Sequence, residues 1–241
     1  LVDCNNFFVS CERVFAPHLE NKPVVVLSNN DGCAIARSSE AKALNIAMGE
    51  PFYKFKHLYQ QKKLEVLSSN FQLYSNMSWR IMESLKLLCP FVEVYSVDEA
   101  FLGLQTLNID DYEAFGHDVK QKLQQWTGIP VSVGIAPTKT LAKIANRLAK
   151  KSKGVYSLLN NPNIDSILEE FQVEDIWGIG KRLSPRLRLV GIGNAKQLRD
   201  SDPSFIRKQF SIVIEKMVYE LQGTSCLDLT TLHENKKSIT S

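Results

Sequence analysis

Two adjacent carboxylates, Asp98 and Glu99, lie within the most informative stretch of the sequence, VEVYSVDEAFLGL (residues 92–104). Two short β-branched and aromatic runs flank the polar break SVDE, which predicts two strands joined by a turn. Neighbouring strand residues point to opposite faces, so only a turn or bulge lets both acids serve one site. Acids among apolar neighbours need compensating positive charge, which a divalent metal supplies. A solvated acidic turn is the simpler alternative and is common.

A third candidate carboxylate, Asp3, follows two aliphatic residues in the opening segment LVDCNNFFVSCE. The aromatic pair Phe7 and Phe8 lies in the same short segment. Taken alone, this segment favours a plain structural interpretation, in which Asp3 caps a strand end and the two phenylalanines belong to the core.

Two basic segments are candidate anion-binding sites. Residues 138–153 (TKTLAKIANRLAKKSK) contain no acid and carry basic residues at spacings of four, four and three, which predicts a helix with one basic face. A solvated face and an anion-binding face are about equally supported. Further along, Gly178-Ile179-Gly180 precedes Lys181 and Arg182, and such glycines free backbone N–H groups for a phosphate. This pattern predicts a helix-hairpin-helix, in which Pro185 is tolerated only in the first turn of the second helix.

The order of the predicted elements positions these residues. The elements are, in chain order, a strand within residues 1–9, a buried strand at Val24–Leu27, a helix within Ile35–Leu44 that Ser38 or Ser39 caps, a long amphipathic helix over Leu73–Leu88, the acidic hairpin, a helix over Tyr112–Trp126 and a buried strand at Val131–Ile135. The sequence of strand, long helix, hairpin, helix and strand is that of a ferredoxin-like sheet.

Composition limits the class of protein. The 241 residues carry a net charge of +3, with 44% hydrophobic and 23% charged residues, as in a globular protein of one large domain or two to three small ones. Five scattered cysteines without a CxxC pair argue against disulfides and structural zinc. No apolar run approaches the length of a membrane span and no signal peptide is evident, so we expect a cytoplasmic protein without a membrane partner. The start within a strand-like run and the polar tail lead us to expect a fragment.

Together these motifs resemble the Y-family translesion DNA polymerases. The segments that carry the resemblance are Asp3-x-Asn5-x-Phe7-Phe8-Val9-Ser10-Cys11-Glu12, VVVLSNNDGC (24–33), SVDEA (96–100), GIAPTKTLAK (134–143) and WGIG (177–180). The second and fourth segments are especially similar to the bacterial UmuC branch. The resemblance covers essentially the whole chain. It implies an α+β fold with a ferredoxin-like palm (1–10 and 73–163), small α/β fingers (11–72), a helical thumb containing the helix-hairpin-helix (164–227), and a tail (228–241) toward a little-finger domain that is missing here.

The resemblance implies an enzyme, a DNA-directed DNA polymerase. It would add deoxynucleotides to a primer 3′-hydroxyl past damaged bases, with low fidelity, in SOS-type mutagenesis. The reaction is an in-line phosphoryl transfer assisted by two Mg²⁺ ions, and it needs carboxylates that converge from different strands. The resemblance makes Asp3, Asp98 and Glu99 the catalytic metal ligands, together with the carbonyl of Cys4. Many family members have a second acid at the position of Asn5, but we do not expect Asn5 to be a ligand.

The resemblance also implies a nucleotide site and a DNA contact. Phe8 falls at the position of the steric gate, whose ring clashes with the 2′-hydroxyl of a ribonucleotide. The other nucleotide-binding residues are Phe7, Ser39, Lys42 and Lys150, and Lys42 replaces an arginine of other members, which keeps the charge but loses a bidentate grip. The implied DNA-binding residues are Gly178, Gly180, Lys181 and Arg182. The implied partners are primer–template DNA, deoxynucleoside triphosphates, the processed UmuD dimer, the RecA filament and the sliding clamp.

Three other functions fit parts of the pattern. A nucleotidyl cyclase palm also joins two acids on neighbouring strands, but it does not need the hairpin at residues 177–188. A metal nuclease needs a water-activating base, and no histidine lies near either acidic motif. A non-catalytic DNA-binding scaffold that keeps the polymerase fold is the main alternative, although it would have no use for three costly acids.

Overall fold

A computed structural model describes residues 1–229 of the chain, so the predicted tail at 228–241 lies almost entirely outside the described residues. The strands are β1 (Val2–Cys4), β2 (Val24–Leu27), β3 (Ala34–Arg37), β4 (Glu65–Leu67), β5 (Val92–Val94), β6 (Glu99–Leu102), β7 (Val131–Ile135) and β8 (Val155–Ser157). The helices are α1 (Phe7–Phe15), α2 (Ser39–Ala43), α3 (Phe52–Gln60), α4 (Phe71–Leu88), α5 (Tyr112–Thr127), α6 (Lys139–Ala149), α7 (Ile164–Glu170), α8 (Ser184–Leu189), α9 (Ala195–Arg199), α10 (Pro203–Gln209) and α11 (Ile212–Leu221).

The larger sheet has the strand order β5-β6-β1-β7-β8. Its strands are antiparallel except for the parallel pair β7 and β8. The elements β1, α4, β5, β6, α5 and β7 follow one another as a ferredoxin-like unit requires. The predicted ferredoxin-like palm is therefore confirmed, and β8 extends it at one edge.

Two helices cover opposite faces of this sheet. Gly116 of α5 lies against the side chains of Val133 and Ile135, whereas the intervening Gly134 lies against the backbone of α6, where a β-carbon would clash. Successive strand residues point to opposite faces, so Ser132 and Gly134 face α6. The ladder pairs Asp3 with Ser132 on one side, and it pairs Asp3 with Glu99 on the other. Both acids therefore lie on the face that α6 covers.

The smaller sheet has the order β3-β2-β4 and packs with α2 and α3 around its own apolar core. Within the segment Ile35–Leu44, the predicted helix cap is confirmed at Ser38, whereas the strand before it was not predicted, because Ala36 and Arg37 pair with β2. Only Ser39–Ala43 is helical, and the Ser38 hydroxyl accepts the backbone N–H of Ala41 at 3.1 Å to cap it. Strand pairing, a tertiary interaction, overrides the local helical pattern.

The boundaries of two other elements differ from the predictions, whereas the predicted place of Pro185 is confirmed. The opening strand is only Val2–Cys4, because Asn6 adopts a left-handed conformation with φ of 48° and α1 begins at the next residue. The basic helix is shorter than residues 138–153 and ends at Ala149. Pro185 lies in the first turn of α8, where the sequence required it to be.

The helices α7 to α11 form a separate apolar cluster. Its buried members include Leu168, Leu187, Leu198 and Ile206, and Leu141 and Ile144 of α6 join the same cluster. Helix α6 therefore lies between the larger sheet and the helical unit, and it contacts both. Among residues 1–229, no helix is long and apolar enough to cross a membrane.

Candidate active site

Three acids meet near the centre of the larger sheet. Asp3 of β1 is the ladder partner of Glu99, the first residue of β6. Asp98 precedes Glu99, and its carbonyl accepts the backbone N–H of Cys4 at 2.9 Å. The structure thus places the backbone of these three acidic residues close together, although they come from segments that are almost one hundred residues apart.

Helix α6 and the residue that directly follows it supply an ammonium group to two of these acids. Lys150 Nζ lies 2.7 Å from Asp3 Oδ2, and Lys143 Nζ lies 2.7 Å from Glu99 Oε1. The two lysines are seven residues apart, two helical turns, and so share one side of the helix. Asp98 is held differently, because its Oδ1 accepts the hydroxyl of Ser96 at 2.7 Å.

The environment of Asp3 disfavours its charged form. The residue is only 8% exposed, and burial raises its pKa to about 6. The neighbouring Glu99 carboxyl acts in the same direction, while the ammonium of Lys150 opposes it. Asp3 therefore carries a costly charge at neutral pH, and additional positive charge nearby would lower that cost.

The donor set fits a divalent ion. Carboxylate oxygens are the ligands that Mg²⁺ prefers, and the ammonium groups on Asp3 and Glu99 hold positions where a metal would provide the same positive charge. Within residues 1–229, no group of three or more His, Cys, Asp or Glu side chains is arranged as a ready-made metal site.

Two neighbours of Asp3 use their side chains elsewhere. The thiol of Cys4 is buried, which raises its pKa well above the usual range, so only the backbone carbonyl of this residue is a candidate ligand. Asn5 accepts the hydroxyl of Ser132 at 2.8 Å through its amide oxygen. The amide oxygen of Asn5 is therefore used in a hydrogen bond to the neighbouring strand β7.

Phe8 is held in place by other aromatic rings. Its ring stacks on Tyr74 with centroids 4.2 Å apart and an interplanar angle of 11°, and it meets Phe71 edge to face with centroids 6.1 Å apart. The hydroxyl of Tyr74 donates to Glu12 at 2.7 Å. Phe8 is half-buried, whereas the adjacent Phe7 belongs to the core. Phe8 therefore has the support that a rigid steric barrier needs.

Ser39 and Lys42 are linked to the start of α1. Lys42 Nζ donates to Asn6 Oδ1 at 2.6 Å, and the amide nitrogen of Asn6 donates to Ser39 Oγ at 3.3 Å. Burial lowers the pKa of Lys42, and the charges of Arg37 and Lys150 lower it further. Lys42 of α2 and Lys150, directly after α6, thus bring two positive charges close together beside Asp3, as an anion-binding site would require.

Asn6 and Lys143 also belong to this site, although their sequence positions did not predict it. Asn6 could have been suspected, since asparagine is enriched at left-handed positions such as this one. Lys143 belongs to the predicted basic face of α6, but the sequence did not reveal which acid it contacts.

The hairpin Gly178–Gly180 projects from the helical unit. Ile179 is buried and anchors it, whereas Gly178, Gly180, Lys181 and Arg182 are exposed. Gly178 has φ of 87°, and a β-carbon at Gly180 would meet no atom within 4 Å. In the described part of the chain, no ion pair involves Lys181 or Arg182, so both charges remain available to a phosphate backbone. The element before the hairpin is a single 3₁₀ turn at residues 173–175.

Comparison with known proteins agrees with this geometry. The impB/mucB/samB family matches residues 2–147, and the chain belongs to this family. Protein ImpB of Salmonella typhimurium is 46% identical and protein UmuC of Salmonella typhimurium strain LT2 is 45% identical, each over 99% of this chain and 58% of its own length. The chain therefore spans little more than half the length of these curated relatives.

A solved structure identifies the fold. The insertion ternary complex of Dbh DNA polymerase superposes with a TM-score of 0.77 at 28% identity, covering 92% of this chain and 66% of that one. The fold of the described residues is that of the Y-family DNA polymerases, with palm, fingers and thumb.

Proposed function

We propose that this chain is the catalytic part of an error-prone translesion DNA polymerase of the UmuC branch. It adds deoxynucleotides to a primer 3′-hydroxyl past damaged bases during SOS mutagenesis. One observation carries the proposal. Asp3 and Glu99 are paired across neighbouring strands beside Asp98, and the positive charges of Lys42 and Lys150 lie close to Asp3.

The proposed palm comprises residues 1–10 and 73–163, the fingers comprise residues 11–72, and the thumb comprises residues 164–227. In this assignment α6 belongs to the palm. Its contacts with the helical unit support a palm and thumb that act together.

The side chains divide the work of nucleotide addition. Asp3, Asp98 and Glu99, with the Cys4 carbonyl, would hold two Mg²⁺ ions. When bound, these ions supply activation of the 3′-hydroxyl and charge neutralisation at the triphosphate. Ser39, Lys42 and Lys150 hold the triphosphate by hydrogen bonds and charge.

Phe8 selects the sugar, with Phe7 behind it in the core. The Phe8 ring cannot yield to a 2′-hydroxyl, because Tyr74 stacks on it and is itself bonded to Glu12. Gly178, Gly180, Lys181 and Arg182 bind the DNA backbone through exposed N–H groups and positive charge.

The proposed substrates are primer–template DNA and deoxynucleoside triphosphates, in the cytoplasm. They are supported by the similarity to a ternary complex of a DNA polymerase. The processed UmuD dimer, the RecA filament and the sliding clamp are proposed as partners on the basis of the similarity to UmuC.

Primer extension tests this proposal. The parent protein, Asp98→Ala, Glu99→Ala and the control Asp110→Ala, which alters an exposed acid outside the site, are compared at low salt with Mg²⁺ and the four deoxynucleotides. Templates with and without an abasic site are used. We expect the parent and the control to extend both primers, and the two active-site variants to extend neither. A parent that binds primer–template in a salt-dependent way but extends neither primer would support the scaffold alternative.

A further inference from the structure

Lys143 lies between the candidate active site and the thumb hairpin. Its ammonium nitrogen is 2.7 Å from Glu99 Oε1 and 4.4 Å from the centroid of the Tyr95 ring. The rings of Trp177 and Phe101 lie 5.7 and 5.9 Å from the same nitrogen. The side chains of Lys143 and Glu99 are only 17% and 18% exposed, so water screens these contacts weakly. Lys143 therefore has both a carboxylate and a cage of three aromatic rings as partners.

The cage is connected to both the acid and the hairpin. The backbone N–H of Tyr95 donates to the Glu99 carbonyl at 3.0 Å, and the indole N–H of Trp177 donates to the Tyr95 hydroxyl at 2.9 Å. The two rings meet edge to face with centroids 5.5 Å apart. Trp177 directly precedes the hairpin Gly178–Gly180. A change at either end of this chain of contacts therefore alters the surroundings of the Lys143 ammonium.

The ammonium has two alternative sources of stabilisation. It neutralises Glu99 when no metal is present, and the faces of the three rings attract a cation without any carboxylate. A divalent ion on Glu99 would supply the same positive charge and repel the ammonium. Lys143 would then turn from Glu99 toward the rings of Tyr95 and Trp177, and it would remain inside the cage.

We propose that Lys143 is a positioning residue that couples divalent-ion binding at Glu99 to the position of the Trp177 ring. Because Trp177 directly precedes the thumb hairpin, the position of the hairpin is coupled as well. The inference rests on the proposed function, since it assumes a metal at Glu99. Lys143 and its three rings would then connect the acidic site to the proposed DNA-binding hairpin.

Lys139 provides a matched control on the same helix. It lies one turn before Lys143, its ammonium is 2.6 Å from Glu93, and it is 5.2 Å from the Phe101 ring. Lys139 thus also combines a carboxylate with an aromatic ring, but Glu93 is not among the predicted metal ligands.

The test uses Trp177 as a fluorescent reporter. Trp79 and Trp126 are exposed and are replaced by phenylalanine, so that all indole emission comes from Trp177. Emission is recorded while Mg²⁺ is added, and Mg²⁺ binding is measured independently by calorimetry. We expect a saturable emission change with the same dissociation constant that calorimetry gives.

Three variants at the two lysines then separate coupling from folding. Lys143→Met keeps the length of the side chain but removes the cation, so Mg²⁺ should still bind while the emission response is lost. Lys143→Arg should restore the response, because a guanidinium keeps the charge and stacks on aromatic rings. Lys139→Met should respond as the parent does.

Each other outcome overturns the proposal. If Mg²⁺ binds and Trp177 emission does not change in the parent, the coupling is absent although the proposed function survives. If Lys139→Met abolishes the response as Lys143→Met does, general helix charge and not the cage is responsible. If the parent binds no Mg²⁺ at all, the proposed function and the inference both fail.

Discussion

Replacing Asp3 by asparagine should stabilise the metal-free protein at neutral pH. The pKa of this buried carboxyl is raised from 3.8 to about 6, so the folded state binds more protons than the unfolded state between these values. Stability must therefore fall as pH rises through this window. This pKa difference corresponds to a loss of about 3 kcal/mol in the free energy of unfolding once the carboxyl is ionised. The neutral amide of Asp3→Asn avoids this loss. Lys150 loses its partner, but its side chain is 43% exposed and water replaces the bond.

Urea denaturation in EDTA, followed by circular dichroism, measures this effect between pH 4 and 8. We expect Asp3→Asn to exceed the parent by up to about 3 kcal/mol at pH 7.5, and the gap to close toward pH 4. Asp110→Asn, at an exposed acid, is the control and should match the parent throughout. Added Mg²⁺ should stabilise the parent more than Asp3→Asn, because a bound ion neutralises the buried carboxylate that only the parent carries. A variant less stable than the parent at pH 7.5, or a gap independent of pH, would refute the reasoning.

Two further predictions concern selection of the sugar and grip on DNA. Phe8→Ala should raise ribonucleotide incorporation by at least about tenfold. Tyr74→Phe keeps the stacked ring, so sugar selection should be unchanged. The loss of the tyrosine hydroxyl should lower the free energy of unfolding by about 1 kcal/mol. Single-nucleotide kinetics and denaturation measure these effects, and an unaltered sugar preference in Phe8→Ala would exclude the gate. The double variant Lys181→Ala, Arg182→Ala should reduce the slope of log Kd against log salt for primer–template by about 2. Arg188→Ala removes a cation already held in an ion pair and should change this slope less.

The fold was largely predictable because its signals are local. The amphipathic spacing of α4 and α5 and the acidic hairpin between them are enough to predict a ferredoxin-like palm. The strand Ala34–Arg37 was not predicted, because pairing with β2 decides the structure there and local propensity does not. The prediction also failed at Asn6, where one left-handed residue ends the opening strand early.

The contacts within the site were less predictable because they join distant segments. Sequence spacing indicated a basic face on α6, but it could not assign Lys150 to Asp3, which is 147 residues away, or Lys143 to Glu99. These pairs depend on the register of β1 with β6 and on the close approach of α6 at Gly134. The cage around Lys143 has the same origin, since its rings come from the acidic hairpin and the thumb.

The most direct test of the central claim is the number of divalent ions bound in a ternary complex. Electron paramagnetic resonance would count Mn²⁺ ions on the protein with a chain-terminated primer–template and a deoxynucleoside triphosphate, with the triphosphate alone as a reference. We predict about two ions per protein, and loss of this binding in Asp98→Asn and Asp3→Asn. Binding no greater than that of the free triphosphate, or unchanged in both variants, would contradict the assignment of these carboxylates to one catalytic metal site.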